Sequence, residues 1–251
     1  MEFTGGLYGF MANVARIILN TRADHMIVCA DRKPYVRSLE YPEYKMLRAK
    51  NSDDELREKY LKAVVQVEEL CGVIGVPVFS VPGFEADDCE AYIVSKFRNR
   101  HSLVYAASND SDLYQLLDFH NFRIYKKDLE GVVDLAKLYQ QIGLSPTDYM
   151  WSTALMGTHN DIEGIPRVGA KTAIKAVKDK SLLRTYMEQH GDLVTRNLGL
   201  IKLPHRDFPR DIAFPKRTGI FDARALYKWC ARYDINVMGF MVEAFEQIGQ
   251  P

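Results

Sequence analysis

Apolar residues recur at two distinct periods along this chain. In residues 7–19, LYGFMANVARIIL, they fall at helical spacing and predict an amphipathic helix. His25–Asp31 is a short apolar run closed by a carboxylate, the pattern of a buried parallel strand. Ser52 and Glu55 have the spacing of a capping box. They open a helix whose apolar stripe runs through Leu56, Tyr60, Val64, Val67 and Leu70. Val76–Val81 reads as a strand despite Pro77, Glu85–Phe97 as a helix, and Leu103–Ser108 and Phe122–Lys126 as strands. Strands separated by helices of this length predict an α/β fold, a parallel twisted sheet flanked by helices. Ligands of such sheets gather outside the carboxyl ends of the strands.

Past residue 140 the strand pattern stops. Asp134–Gln141 and Ser145–Met156 read as helices, the second with Pro146 in its first turn. A turn punctuated by Gly and Pro (GIPRVG, 164–169) leads to a helix from Lys171 and a mostly helical tail, with Pro204, Pro209 and Pro215 marking irregular connections. The pattern predicts an α/β lobe over residues 1–140 and a helical lobe over 141–251.

Composition narrows the class without naming a function. The 251 residues are 47% hydrophobic and 26% charged, with 33 basic and 33 acidic side chains. That balance excludes a disordered tail, a fibre and a disulfide scaffold. No apolar run approaches the ~20 residues that span a bilayer, so no membrane partner is expected. The four cysteines contain no CxxC pair and the first residues lack a signal-peptide pattern, which together predict a cytoplasmic protein without a thiolate zinc site. Net charge is zero, yet it is segregated. Residues 165–217 carry twelve basic and five acidic side chains, a local +7.

The acidic residues gather elsewhere. Asp31 closes one strand, Glu85-Ala86-Asp87-Asp88 opens a helix after another, and Asp110 and Asp112 follow the run LVYAAS. A helix start alone accounts for the second group, because the macrodipole favours carboxylates there. The three groups together sit at one sheet edge, where they either spread into solvent or bind hard cations. Oxygen-only donors select magnesium, with manganese as substitute. Two such ions ~3.5–4 Å apart activate water and stabilise the leaving oxygen of a phosphodiester.

Two further motifs carry positive charge. In residues 161–177, DIEGIPRVGAKTAIKAV, a tight turn feeds a helix start bearing Lys171 and Thr172, followed by Lys175. Backbone N–H groups, the helix dipole and lysines there make either a phosphate cradle or simply a capping turn. A nucleotide P-loop is ruled out, since Ala170 separates Gly169 from Lys171 and no strand runs into the turn. A helix–hairpin–helix gripping a DNA backbone fits the flanking helices. In the second motif, Arg37 to Lys45 followed by Arg48, tyrosines including Tyr44 interleave with cations. That mixture suits stacked bases and held phosphates, or a solvated loop.

In this order the motifs resemble the 5′-nuclease family, which includes flap endonucleases, the 5′→3′ exonuclease domain of bacterial DNA polymerase I and phage 5′-exonucleases. The likeness rests on Arg37, Glu40, Pro42, Glu43, Tyr44, Lys45 and Arg48, on Glu85–Asp88, on Ser108, Asp110, Asp112 and Leu113, and on Gly164, Ile165, Pro166, Val168, Gly169, Lys171, Thr172 and Ala173. It implies a PIN-like nuclease core and a DNA-binding helical lobe, acting in replication or repair on branched, nicked or flapped duplex DNA. It further implies two magnesium ions held by Asp31, Glu85, Asp87, Asp88, Asp110, Asp112 and Asp161, with Lys45 and Arg48 steering the scissile phosphate. Residues 45–60 would belong to an arch. The turn, with Arg167 beside Gly164, Ile165 and Gly169, would hold the duplex together with a potassium ion. Location in a bacterial or phage-infected cell follows from the same likeness.

Three departures stand out. The family's opening strand, with its early aspartate, has no match here, which leaves a shortened reading frame or a separately encoded N-terminal segment as partner; replication proteins are the other partners that the likeness implies. Thr158 stands where the first of two aspartates would fall, and Arg167 replaces a common glycine. These departures leave a second reading, a catalytically weakened or inert DNA-structure binder of the same fold.

Overall fold

Helical spacing in the first residues becomes α1 (Thr4–Thr21), which buries Leu7, Met11, Val14, Ala15 and Ile18 on one face. The structure, a computed structural model, describes residues 4–50, 54–99, 102–126, 131–215 and 221–248. The apolar run after α1 yields only a two-residue strand, β1 (Val28–Cys29). Two short helices follow, α2 (Val36–Glu40) and α3 (Met46–Lys50), then the long α4 (Asp54–Val73). The capping box expected at Ser52 lies outside the described residues. Strand β2 (Val78–Phe79) pairs in parallel with β1, Val28 opposite Val78 and Cys29 opposite Phe79.

Next come α5 (Ala86–Phe97) and β3 (Val104–Ala107). A 3₁₀ turn over Ser111–Leu116 leads to β4 (Phe122–Lys126) and β5 (Gly131–Val133). β4 lies parallel to β3, with Ala106 opposite Ile124, and antiparallel to β5. The α/β character and the parallel pairing of the sequence pattern are both present. Among the described residues the strands form separate small sheets, β1–β2 and β3–β4–β5, where a single sheet was expected.

The helices beyond carry the stop and start signals that the sequence supplies. In α6 (Leu135–Ile142), Asp134 accepts the Lys137 N–H, and Gly143 closes the helix at φ +71°. In α7 (Pro146–Met156), Ser145 accepts the Asp148 N–H and Pro146 occupies the first turn. A hairpin of β6 (Gly157–Thr158) and β7 (Ile162–Glu163) then leads into α8 (Ala170–Lys178), α9 (Lys180–Ile201), α10 (Ala223–Arg232) and α11 (Gly239–Gln247). Among the described residues no helix is long and apolar enough to cross a membrane.

The chain divides into two units that interleave along the sequence, whereas the sequence pattern suggests one boundary near residue 140. One unit comprises Met1–Ala30, Ser52–Phe79 and Asp211–Pro251. In it α1 packs on α11 and α4, burying Leu7, Met11, Ile18, Leu70, Ile74, Trp229 and Phe245. The other comprises Asp31–Asn51 and Ser80–Arg210. It has one apolar cluster under β4 around Leu113, Leu117, Phe122, Ile124 and Leu138. A second cluster lies where α7 packs on α8 and α9, around Leu144, Leu155, Ile165, Ala173, Ala176 and Val194. Every carboxylate and cation expected to act on a ligand belongs to this second unit.

Candidate metal and nucleic-acid site

A buried arginine organises the inner half of the site. The Arg37 side chain, 3% exposed, uses all five of its N–H donors. Nη1 and Nη2 bind Asp88 in a fork at 2.6 and 2.8 Å, and Nη1 also reaches Glu85 at 3.2 Å. Nε donates to the Leu200 carbonyl and Nη2 to that of Lys202. Burial opposes the charge, but Asp88 and Glu85 outweigh it and hold Arg37 above its usual pKa. Asp88, fully buried, also accepts the backbone N–H groups of Glu85 and His205. Its two oxygens thus receive four hydrogen bonds, which fills the lone pairs of a carboxylate.

Two sequence expectations are corrected here. Asp88 is the internal counter-ion of Arg37 and not a metal ligand, because no lone pair is left for a cation. Arg37 and Tyr44 do not face DNA. Both are buried, and the Tyr44 hydroxyl donates to Glu85 at 2.8 Å. Burial, then the Glu85 charge, pushes the Tyr44 phenol far above its ordinary pKa, so it stays a donor. Glu85 accepts in addition from Lys45 Nζ, which lies over the rings of Tyr35 and Tyr44 at 5.7 and 5.3 Å. Glu85 is therefore engaged by three donors, while Lys45 keeps 22% of its side chain open to solvent.

The outer half carries carboxylates with few donors. Asp31 accepts the Ala86 N–H at 2.7 Å and the Tyr35 hydroxyl at 2.9 Å, which ties it to the start of α5. Asp110 caps the 3₁₀ turn by accepting the Asp112 N–H. Asp87 is pushed up to about 7 by burial, then by Asp110, Glu85 and Asp112. Asp112 rises to about 6 by burial and then Asp110, although His159 and Lys45 oppose the shift. Asp87, Asp112, Glu85, Lys45 and Asn160 line one pocket. Carboxylates raised by burial and by each other are short of positive charge, and oxygen-only donors in that state suit a hard divalent cation. The donor chemistry suits such an ion, but among the described residues only Glu40, His205 and Asp207 bring three ligand atoms within 4.8 Å of one another, so the outer carboxylates would have to draw together to share one.

Asp161 is placed differently. Its Oδ2 accepts the Leu47 N–H at 2.8 Å, so it caps the first turn of α3. The neighbouring Asn160 carbonyl accepts the Lys45 N–H at 2.9 Å. Lys45 and Asp161 both adopt left-handed backbone, φ +56° and +61°, where the β6–β7 hairpin meets the start of α3. The Arg48 side chain lies outside the described residues. Of the arch expected over 45–60, α3 and the start of α4 are described and residues 51–53 are not.

The hairpin holds the second set. Gly157, at φ +79°, and Gly164 stand back to back, and a Cβ on either would run into the opposing backbone. Buried Asn197 fastens this crossing by donating to the Ala154 and Glu163 carbonyls. Gly169 caps α8. Arg167, Gly169, Lys171 and Lys175 are exposed, and Thr172 is half-buried. Ile165 corrects another expectation. Its side chain is core and its N–H is taken by the Leu155 carbonyl, so it shapes the turn and offers nothing to DNA.

Sequence patterns missed several residues of this region. Tyr35, Asn160 and Asn197 act through hydrogen bonds with no spacing signature. Glu90, a turn beyond Asp87 on α5, is another, and its three-residue spacing was a usable signal. Burial, then Asp87, Asp110 and Asp31, raises Glu90 to about 8.

A family model described as 5′-3′ exonuclease, N-terminal resolvase-like domain, matches residues 2–143. A 5′-3′ exonuclease of Aquifex aeolicus (strain VF5) is 31% identical over 178 residues, covering 70% of this chain and 59% of the relative. DNA polymerase I of Mycobacterium tuberculosis (strain ATCC 25618 / H37Rv) is 29% identical over 212 residues, covering 79% of this chain. The chain spans only 23% of that polymerase's length. Among solved structures, the bacteriophage T5 flap endonuclease in a pseudo-enzyme–product complex with DNA and metal ions shares the fold. Its TM-score is 0.67 at 21% identity, covering 100% of this chain and 92% of the phage protein.

Proposed function

Because the chain belongs to the 5′-3′ exonuclease family, we propose that it is a divalent-metal-dependent 5′-nuclease that hydrolyses phosphodiesters in branched, nicked or flapped duplex DNA. The observation that carries this is the outer carboxylate group. Asp87 and Asp112 face one pocket with Lys45 as the cation beside them, and burial and mutual repulsion raise both. Asp31, Asp87, Asp110 and Asp112 would hold magnesium or manganese. Bound there, such ions would supply water activation and charge neutralisation at the phosphate.

The protein's own groups supply position and charge. Glu85 and the rings of Tyr35 and Tyr44 aim the Lys45 ammonium at the pocket, where it offsets charge on a phosphate oxygen. Arg37 and Asp88 hold α2 and α5 together and so fix the geometry without touching substrate. Exposed Arg167, Lys171 and Lys175 beside the N-terminus of α8 grip a duplex backbone as a helix–hairpin–helix would. The unit formed by residues 31–51 and 80–210 would then carry both the nuclease carboxylates and the duplex-gripping turn, where the sequence pattern divides them near residue 140. Relatives named DNA polymerase I and 5′-3′ exonuclease favour a role in replication or repair.

The test is a 5′-labelled flap or nicked duplex incubated with the protein and magnesium or manganese. Cleavage is expected with the metal and not with chelator. Asp110→Asn together with Asp112→Asn should lower it by roughly a thousandfold or more while duplex binding persists. Salt-sensitive DNA binding with no cleavage at long times and excess protein would instead favour an inert DNA-structure binder.

A further inference from the structure

A second group of ligand atoms converges around His205. The imidazole is 0% exposed, and its Nε2 is buried with no hydrogen-bond partner. Nε2 faces Glu40 Oε1 at 3.4 Å, and Nδ1 lies 4.0 Å from Asp207 Oδ2. One ligand atom from each of Glu40, His205 and Asp207 falls within 4.8 Å of the other two. None of the three residues lines the pocket of Asp87 and Asp112.

The spacing of Nε2 and Glu40 Oε1 is that of a coordination edge. A tetrahedral ion with bonds of about 2.0–2.1 Å sets neighbouring ligand atoms about 3.3–3.4 Å apart. The Asp207 N–H donates to Nδ1 at 3.3 Å, so the neutral imidazole carries its proton on Nε2, toward Glu40. A cation at Nε2 moves that proton to Nδ1 and gives up only the long Asp207 N–H contact. The two carboxylates already converge on a positive charge. Arg206 places Nη2 2.9 Å from Glu40 Oε1 and Nε 4.0 Å from Asp207 Oδ2. Its side chain is 64% exposed, and so exposed an ion pair is weak enough for a divalent ion to displace.

We propose that Glu40, His205 and Asp207 bind a divalent ion of the zinc class, at a site separate from the outer carboxylates. An imidazole nitrogen beside two carboxylate oxygens favours such a metal over magnesium, which takes oxygen donors. The position of the site gives the ion a task. Glu40 ends α2, the helix that carries Arg37, and the His205 N–H donates to Asp88 at 2.7 Å. An ion there pins α2 to the segment after α9 and braces the Arg37–Asp88 fork without entering the pocket.

The experiment is a zinc titration of the metal-free full chain, read by calorimetry and melting temperature, with magnesium in large excess to fill oxygen-only sites. The parent should bind a zinc ion that magnesium does not displace, and should melt higher with zinc than without. Glu40→Gln, Asp207→Asn and His205→Gln should each weaken zinc binding about tenfold or more. Glu40 and Asp207 are exposed, so their variants keep the test alive if His205→Gln fails to fold. Asp110→Asn should keep the ion. Arg206→Gln, which removes the competing cation, should bind zinc at least as tightly as the parent. No magnesium-resistant zinc binding, or parent-like affinity in Glu40→Gln or Asp207→Asn, would overturn the proposal. So would weaker binding in Arg206→Gln, or a loss in Asp110→Asn equal to theirs. The nuclease reading stands or falls separately, on cleavage.

Discussion

Asp87 and Asp88 are adjacent, yet they belong to opposite halves of the site. Asp88 turns inward to a guanidinium fork and two backbone N–H groups, with every lone pair filled. Asp87 turns to a pocket where burial, Asp110, Glu85 and Asp112 raise it to about 7. The inner half completes its charge balance within the fold, and the outer half does not. One helix start therefore does two tasks: a paired carboxylate secures the scaffold, and an unpaired one leaves a charge deficit that, on the proposed reading, a divalent cation would fill.

The largest expected effect strikes the inner half. Arg37→Ala leaves Asp88 buried without its cation and Glu85 with Lys45 alone, and should destabilise the chain by about 3–5 kcal/mol in urea unfolding. Arg37→Lys should rescue little of this, since a single ammonium cannot replace five directed donors. A variant as stable as the parent would dissolve the distinction between the halves.

The next effect belongs to the outer half and is read through pH. Asp112, Asp87 and Glu90 sit at about 6, 7 and 8 in the folded chain. Unfolded carboxylates release their protons near ~4. The folded chain therefore holds protons that the unfolded chain has lost, and metal-free stability is greatest below about pH 4 with respect to these groups. It falls as pH rises through their folded values. Magnesium should flatten that decline, so its gain in melting temperature is larger at pH 8 than at pH 5.5. Equal gains at both would mean that repulsion among these acids is not what the metal relieves.

Much of this division was legible in the sequence. β4 fell at Phe122–Lys126 as its alternating pattern indicated, and α5 began at the acidic cluster. The sharing of tasks between Asp87 and Asp88 was half legible. Asp88 lies on the same helical face as buried Ala91 and Tyr92, a phase that marks it as interior. Arg37 was not legible, because its carbonyl partners Leu200 and Lys202 lie over 160 residues away and an arginine among polar neighbours looks solvated. The β6–β7 hairpin was missed because two-residue strands carry no periodicity, although Gly157 and Gly164 mark its crossing.

The smallest effect lies away from both halves. Lys171→Ala with Lys175→Ala should weaken duplex binding several-fold and make the salt dependence shallower by about 1–2 in log–log slope. Thermal stability should stay within about 0.5 kcal/mol, since both side chains are exposed. An unchanged slope would place the duplex elsewhere on the surface.

The central claim is that the outer carboxylates hold divalent cations and the inner pair does not. Crystals of the full chain soaked in manganese, with anomalous scattering measured near the manganese edge, test it most directly. Peaks within coordination distance of Asp87, Asp110 and Asp112, with the Arg37–Asp88 fork intact, are the predicted result. Peaks on Asp88, or none among the outer carboxylates, would contradict the account.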